Sequence, residues 1–371
     1  MRFAAIFRFT TWFERSDCGF SRRVGRNDAP LFCHKPALEK TMRVGLVYDL
    51  FEHFEWRTGD PEDADAELEP EETVLALEEA LRLLGHDPVR LGPVKPLLAN
   101  LHTMNVDVAM SIAEMGRSRN REAYALVLFE LVDVPFIGSD ALTLSVSVDK
   151  AWTKDLVEYV GVPCPRHVVY PLGAPVLPEK WPTDGYPMIV KPRYAGTAMG
   201  ITPAAKVQDG AALARQIQHV HTQYHQDALA EQFIEGSEFT VAVIGHPPEA
   251  LPVLQRATES TTGIGLHALE RKGVAQQDWS YDVASVLTPG LEAEMQRLAV
   301  LVYEKLEVRD YARIDFRVDR EGRPWFLEIN TLPTFAPDGT FAILAELMGQ
   351  TYPEFLSGVL DKALRRINGA A

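Results

Sequence analysis

Between Met42 and Ser139, short apolar runs alternate with amphipathic stretches, and no other feature of the chain restricts its fold as much. "RVGLVYDL" reads as a buried first strand. An acidic loop from Glu52 to Glu69 follows, then the helix "PEETVLALEEALRLLG", with Pro70 at its start and Gly85 at its stop. Short strands at "DPVRL" and "DVAMSIA", a helix over "REAYALVLFELV" and a strand at "VPFIGS" continue the alternation. Parallel strands need crossovers that helices supply, so this part predicts βαβ units around a parallel sheet. The acidic loop reads as a solvated segment rather than a functional one, as charge runs usually do.

The pattern changes after "SDALTLSVSVDKAWTKDLVEYVG", which predicts two helices. Pro163 and Pro165 interrupt it, and the region beyond is richer in strands: "PMIVKP", "ALAEQFI", "EFTVAVIG" and a hairpin in "ARIDFRVDREGRPWFLEIN". A last helix, "PEFLSGVLDKALRRI", closes the chain. At 371 residues the chain exceeds one small core. The predicted division is an N-terminal extension at 1–41, an α/β domain at 42–140, and two further α+β subdomains at 141–235 and 236–371. The extension, read as disordered or non-native, is basic, holds Cys18 and Cys33, and ends just before the first strand. Its apolar piece "FAAIF" is too short for a signal-peptide core.

A net charge of −15 argues against nucleic acid or an anionic membrane as a main partner, since both reward basic surfaces. It leaves nucleotide binding open, because a phosphate site needs only a few local cations and oriented N–H groups. Cys18, Cys33 and Cys164 show neither metal-ligand spacing nor an even disulfide framework, so a cytoplasmic setting is expected. No run of about 18 apolar residues exists, and no membrane span is expected.

The hairpin carries a conflict. If Val318 pairs with Trp325, Asp315 faces Glu328 and Arg313 faces Asn330, all on one face of the ladder. Like charges directly across a ladder destabilise it, so either the register differs or a cation sits between them. Asp315, Glu328 and Asn330 form a hard-oxygen set of the kind Mg²⁺ takes together with substrate phosphates, and Arg313 beside them suits a developing oxyanion. An exposed polar face with screened repulsion is the plainer alternative. It fits poorly, because Glu328 sits in the apolar context "WFLEIN".

Three other stretches carry chemistry only in combination. "YPMIVKPRYAGTAMGI" ends a buried strand in Lys191 and follows it with glycines at 196 and 200, a pliable backbone that suits a phosphate cradle. Lys150 lies in "VDKAWTK", where the two halves of the chain meet. "LAEQFIEGSEFTVAVIG" pairs a strand edge with a second strand opening on Glu238, an arrangement able to serve a purine and its ribose. Taken singly, each reads as an ordinary turn, helix surface or hairpin.

In this order, the motifs "DK..TK", "VKP...G...G", "E.FI.G.EFTVAV", "RIDF" and "FLEIN" resemble the ATP-grasp superfamily and, within it, the D-alanine–D-alanine ligases, from Met42 to the C-terminus. The resemblance implies an α/β fold of the ATP-grasp type, with an N-terminal parallel βαβ domain followed by two α+β subdomains that clasp ATP. It implies that Lys150 and Lys191 hold ATP phosphates, that Gly196 and Thr197 belong to the loop closing over them, that Glu231, Gln232, Phe233 and Ile234 frame the adenine, and that Glu238 meets the ribose. Asp315, Glu328 and Asn330 would hold two Mg²⁺ ions (Mn²⁺ being an alternative), with Glu328 bridging. Arg313 would stabilise a tetrahedral intermediate. The implied reaction activates a carboxylate as an acylphosphate that an amine then attacks, with amino acids as substrates, a role in peptidoglycan synthesis, and a homodimer as the assembly.

The substrate half departs from the ligase pattern. "TLPTFAPDGTFA" follows Asn330, with Thr334 replacing a glycine and Asp338 standing where a serine would help hold the second substrate's carboxylate. An aspartate there favours an amine or hydroxyl over a carboxylate. "SIAEMGRSRNREA" replaces a histidine-glycine segment, neither Glu52 nor Glu55 is singled out as an amino-group contact, and Tyr281 is the one remnant of a lysine-tyrosine pair.

Overall fold

The computed structural model describes residues 40–116, 118–175, 185–259, 262–265, 279–280 and 287–369. The N-terminal extension up to residue 39, with Cys18 and Cys33, and Tyr281 lie outside them. The first domain runs β1 (Arg43–Val47), α1 (Glu71–Leu83), β2 (Asp87–Gly92), α2 (Val94–Asn100), β3 (Val108–Ser111), α3 (Tyr124–Leu131) and β4 (Phe136–Ile137). Its strands form a sheet in the order β2-β1-β3-β4, every pair parallel, as the alternation predicts.

Helices α4 (Ala141–Ser147) and α5 (Lys150–Glu158) lead into two antiparallel sheets. Strands β5 (His167–Tyr170), β6 (Met188–Pro192) and β7 (Lys206–Val207), helix α6 (Gly210–Gln223) and strand β8 (Ala228–Gln232) make a sheet ordered β5-β8-β6-β7 with one covering helix. Next come β9 (Gly236–Ile244), β10 (Glu249–Ala250), β11 (Leu254–Arg256), α7 (Pro289–Lys305), β12 (Tyr311–Asp319) and β13 (Pro324–Asn330), with sheet order β10-β9-β12-β13 and β11 also on β9. Two helices thus interrupt a region that reads as mainly strand. Their signals are local: Asp209 and Thr288 cap the N-termini, and α6 buries Leu213, Ile217 and Val220 at helical spacing.

α8 (Thr340–Leu347) and α9 (Tyr352–Ile367) return to the first domain. Phe355, Val359 and Leu360 of α9 share one buried cluster with Val74 and Leu77 of α1 and Val44 of β1. Each such side chain contributes about 1.5–3 kcal/mol by leaving water, so the C-terminal helix ties the first sheet to the third. The residues past Asn330 are thereby held near the loops that follow β1 and β3.

β9 opens on Gly236, which has φ of +149° and whose missing side chain leaves room for the Val318 carbonyl; a Cβ there would stand 1.9 Å from that oxygen. Gly236→Ala is therefore expected to force β9 off β12 at this end and to destabilise the fold by about 2–3 kcal/mol, read as a lowered urea midpoint.

Candidate active site

The hairpin of β12 and β13 has Asp315 opposite Glu328 and Arg313 opposite Asn330. The pairing near the turn differs from the expectation by one residue: Val318 faces Pro324 and Arg317 faces Trp325. A bulge at Leu327 absorbs the difference, letting the turn close tightly while the far end keeps its register. Leu327's carbonyl accepts a hydrogen bond from Lys154. The like-charge conflict is real, and protein cations answer it. Arg313 donates to both oxygens of Asp315, at 3.2 and 3.1 Å, and Lys150 Nζ lies 3.4 Å from Glu328 Oε2. Burial pushes the Glu328 carboxyl up, but Lys150, Lys191 and Arg313 outweigh it and hold that carboxyl far below the usual range. Asp315 also accepts from the Thr240 hydroxyl at 2.6 Å and is likewise held low against burial.

Lys191 sits near the end of β6, a wholly buried strand, and pairs with Glu231 of β8 at 2.6 Å. The two are diagonal neighbours, since Ile189 faces Glu231 and Lys191 faces Leu229. Lys154, fully buried one turn after Lys150, lies 3.2 Å from the other oxygen of Glu231. Sequence reasoning passed over Lys154, although its i, i+4 spacing from Lys150 places both on one face of α5. Asp149 caps α5 and binds Arg193 through two 2.7 Å bonds, which ties the start of the helix to the segment leading into the glycine loop. Lys150 Nζ donates to the Ala195 carbonyl inside that loop at 2.5 Å.

Between the two antiparallel sheets, Lys150, Lys191, Glu231, Glu238, Asp315 and Glu328 line one cleft with Gln232, Phe233 and Ile234. Ile189, Phe233 and Ile264 give it an apolar wall. Phe233 lies between Lys206, 4.0 Å from the ring centroid, and Arg317, at 4.5 Å. Arg317 also reaches Glu238 at 3.5 Å. Arg256, buried opposite Glu238 in the β9–β11 register, adds a further cation that the sequence did not single out.

Gly196 and Thr197 lie in a loop where Thr197, Ala198 and Gly200 all have left-handed φ values of +44°, +55° and +77°. For the two non-glycine residues this is strained backbone of the kind that marks functional loops. The loop is pinned by the acidic segment. Gly196 N–H donates to Glu67 Oε1 at 2.5 Å, Gly200 N–H donates to Asp63 at 2.9 Å, and Tyr224 holds Asp63 through its hydroxyl. Glu67 also pairs with Arg121, both side chains being nearly out of solvent. The expectation of a solvated acidic loop is therefore corrected for Asp63 and Glu67, whose partners lie 54 to 161 residues away in sequence and leave no local signal. Asp338 is exposed, whereas Thr334 points inward and donates to Glu69 at 2.9 Å.

The donor set fits magnesium. Two carboxylates and the Asn330 amide stand on neighbouring strands, and both carboxyls stay ionised at neutral pH.

Residues 176–361 match the family described as D-ala D-ala ligase C-terminus. An uncharacterised protein, y4sG of Sinorhizobium fredii, is 28% identical over 299 residues, covering 78% of this chain and 87% of the relative. The D-alanine–D-alanine ligase of Stutzerimonas stutzeri is 30% identical over 290 residues, covering 78% of this chain and 88% of that protein. The crystal structure of D-alanine–D-alanine ligase from Bacillus anthracis complexed with ATP superposes with a TM-score of 0.67 at 18% identity, covering 89% of this chain and all of the other.

Proposed function

The chain belongs to the D-alanine–D-alanine ligase family of ATP-grasp enzymes, and on that premise we propose that it joins a carboxylate to an amine by way of an acylphosphate. The observation that supports this most directly is that Lys150, Lys191, Asp315 and Glu328 line one cleft with the apolar Ile189, Phe233 and Ile264, while Arg313 and Asn330 stand beside Asp315. ATP fits this polarity, with the purine against Phe233 and Ile189, the ribose toward Glu238, and the phosphates toward the two lysines and the loop from Tyr194 to Gly200. Asp315, Glu328 and Asn330 would hold two Mg²⁺ ions, which neutralise charge on the phosphates when bound.

Phosphoryl transfer needs positioning and charge neutralisation more than a protein nucleophile. Lys150 and Lys191 orient the γ-phosphoryl group. A substrate carboxylate oxygen bonds to its phosphorus as the bond to the β-phosphate oxygen breaks, releasing ADP. The amine nitrogen then attacks the acyl carbon, the acyl C–O bond to phosphate breaks, and the proton lost from nitrogen passes to the departing inorganic phosphate or to solvent. Arg313 faces the oxyanion of that step, and the pinned glycine loop keeps water from the acylphosphate.

The cysteine composition supports a cytoplasmic setting. Among the described residues no helix is long and apolar enough to cross a membrane. A second reading, a ligase for other amino acids or a modified acid, is favoured by Thr334, which turns toward Glu69 in the segment expected to hold the second substrate. ADP release measured against single and paired D- and L-amino acids is expected to require a pair. Release that needs no amino acid at all would remove the dipeptide-ligase reading.

A further inference from the structure

Glu328 reaches the cleft through an irregularity in its own strand. Side chains alternate with period two, and along β12 Ile314 and Phe316 lie in the apolar core while Asp315 lines the cleft. Phe326 and Ile329 of β13, opposite Phe316 and Ile314, lie in the same core. Two residues, Leu327 and Glu328, stand between them where regular alternation has room for one, and both line the cleft. Were the ladder regular from the turn onward, Leu327 would face Asp315, and Glu328 would face Ile314 with its carboxyl turned to the core. The bulge therefore decides which face Glu328 takes.

Lys154 meets this bulge. Its ammonium donates to the Leu327 carbonyl, lies 3.2 Å from Glu231 Oε2 and stands 5.3 Å from the centre of the Phe326 ring. A bulge interrupts the ladder locally, and a buried carbonyl released from it needs another donor. β13 is also the edge strand of its sheet, and its Phe326 N–H donates to the Pro163 carbonyl at 2.8 Å. Helix α5 and the segment after it thus hold β13 at the bulge, where no further strand pairs. Glu231 balances the charge that this places in the interior, while its other oxygen holds Lys191 at 2.6 Å. The two lysines differ in station: Lys191 lines the cleft, whereas Lys154 is 0% exposed.

Resting on the ligase reading above, we propose that Lys154 is a positioning residue for the metal: by holding the Leu327 bulge, it turns the Glu328 carboxylate toward Asp315 and so completes the pair of carboxylates that would receive Mg²⁺. Lys154 acts through backbone register and touches neither nucleotide nor metal.

The test compares the full chain with Lys154→Met, which keeps an apolar stem of similar length and removes the donor. Binding of Mn²⁺ to the protein with ADP, followed by electron paramagnetic resonance, is expected to weaken about tenfold or more, the scale of removing a group that orients a metal ligand. ADP affinity measured in EDTA is expected to change little, since Lys191 keeps Glu231 and Lys150 keeps the Ala195 carbonyl. ADP release is expected to need about tenfold more Mg²⁺ for its half-maximal rate. Val359→Ala, a cut in the buried cluster shared by α9 and α1, controls for lost stability and is expected to leave the Mn²⁺ affinity unchanged. Lys154→Gln takes the place of Lys154→Met should the latter lack a cooperative urea transition. Wild-type Mn²⁺ affinity in a folded Lys154 variant, or an equal loss of Mn²⁺ affinity and metal-free ADP affinity, overturns the proposal. If the unmodified chain releases no ADP with any carboxylate and amine, the ligase reading fails instead, and the Mn²⁺ titration, which needs no turnover, still decides the role of Lys154.

Discussion

Glu328→Gln is expected to lower ATP-dependent ADP release by roughly two to three orders of magnitude, the loss typical of removing one electrostatic partner from a water-excluded reaction centre. The substitution keeps the shape of the side chain and removes only its charge. Glu328 is the point where Lys150, Lys191 and Arg313 all act, and it faces Asp315 across the ladder. Without its charge, Lys150 loses the carboxylate 3.4 Å from its ammonium, and a bound magnesium would lose an anionic ligand. The variant should also be less stable near neutral pH. The carboxyl of Glu328 is lowered on folding, so its stabilising contribution is present above the ordinary glutamate value of 4.5 and is lost as pH falls through the folded value. The stability gap between wild type and variant should therefore narrow in strong acid. Near-normal turnover in Glu328→Gln would rule out this hairpin as the catalytic centre.

Glu231→Ala carries the largest expected effect on stability, about 3–5 kcal/mol in a denaturant titration. Glu231 is buried and stands between Lys191 at 2.6 Å and Lys154 at 3.2 Å. Truncating it leaves two buried ammonium groups facing one another with no anion between them. Lys154→Met in the same background should recover part of the loss, because it removes one of the two stranded charges and keeps an apolar stem of similar length. A loss below about 1 kcal/mol for Glu231→Ala would mean that water reaches the pair as readily as it reaches a surface bridge.

Local signals carried much of this architecture. The alternation from Met42 gave the parallel sheet, because strand and helix periodicity are written into neighbouring residues. The hairpin register from Arg313 to Asp315 followed from period-two alternation, and the conflict it created pointed to cations in the centre. α6 and α7 were equally legible from Asp209, Thr288 and their apolar spacing, yet strand-rich neighbours masked them. The one-residue shift at the turn was not legible, since a bulge at Leu327 depends on what its carbonyl meets across the fold.

The placement of Lys191, Asp315, Glu328 and Asn330 within strands was legible in the sequence, through spacing and apolar context. The groups around them were decided only in three dimensions. Glu67 seals the glycine loop because Arg121 and Gly196 come to it from distant parts of the chain. Side-chain periodicity acts over a few residues, whereas a buried charge is balanced by whichever groups the packed core brings within a few ångströms, and that balance exists only once the chain has folded.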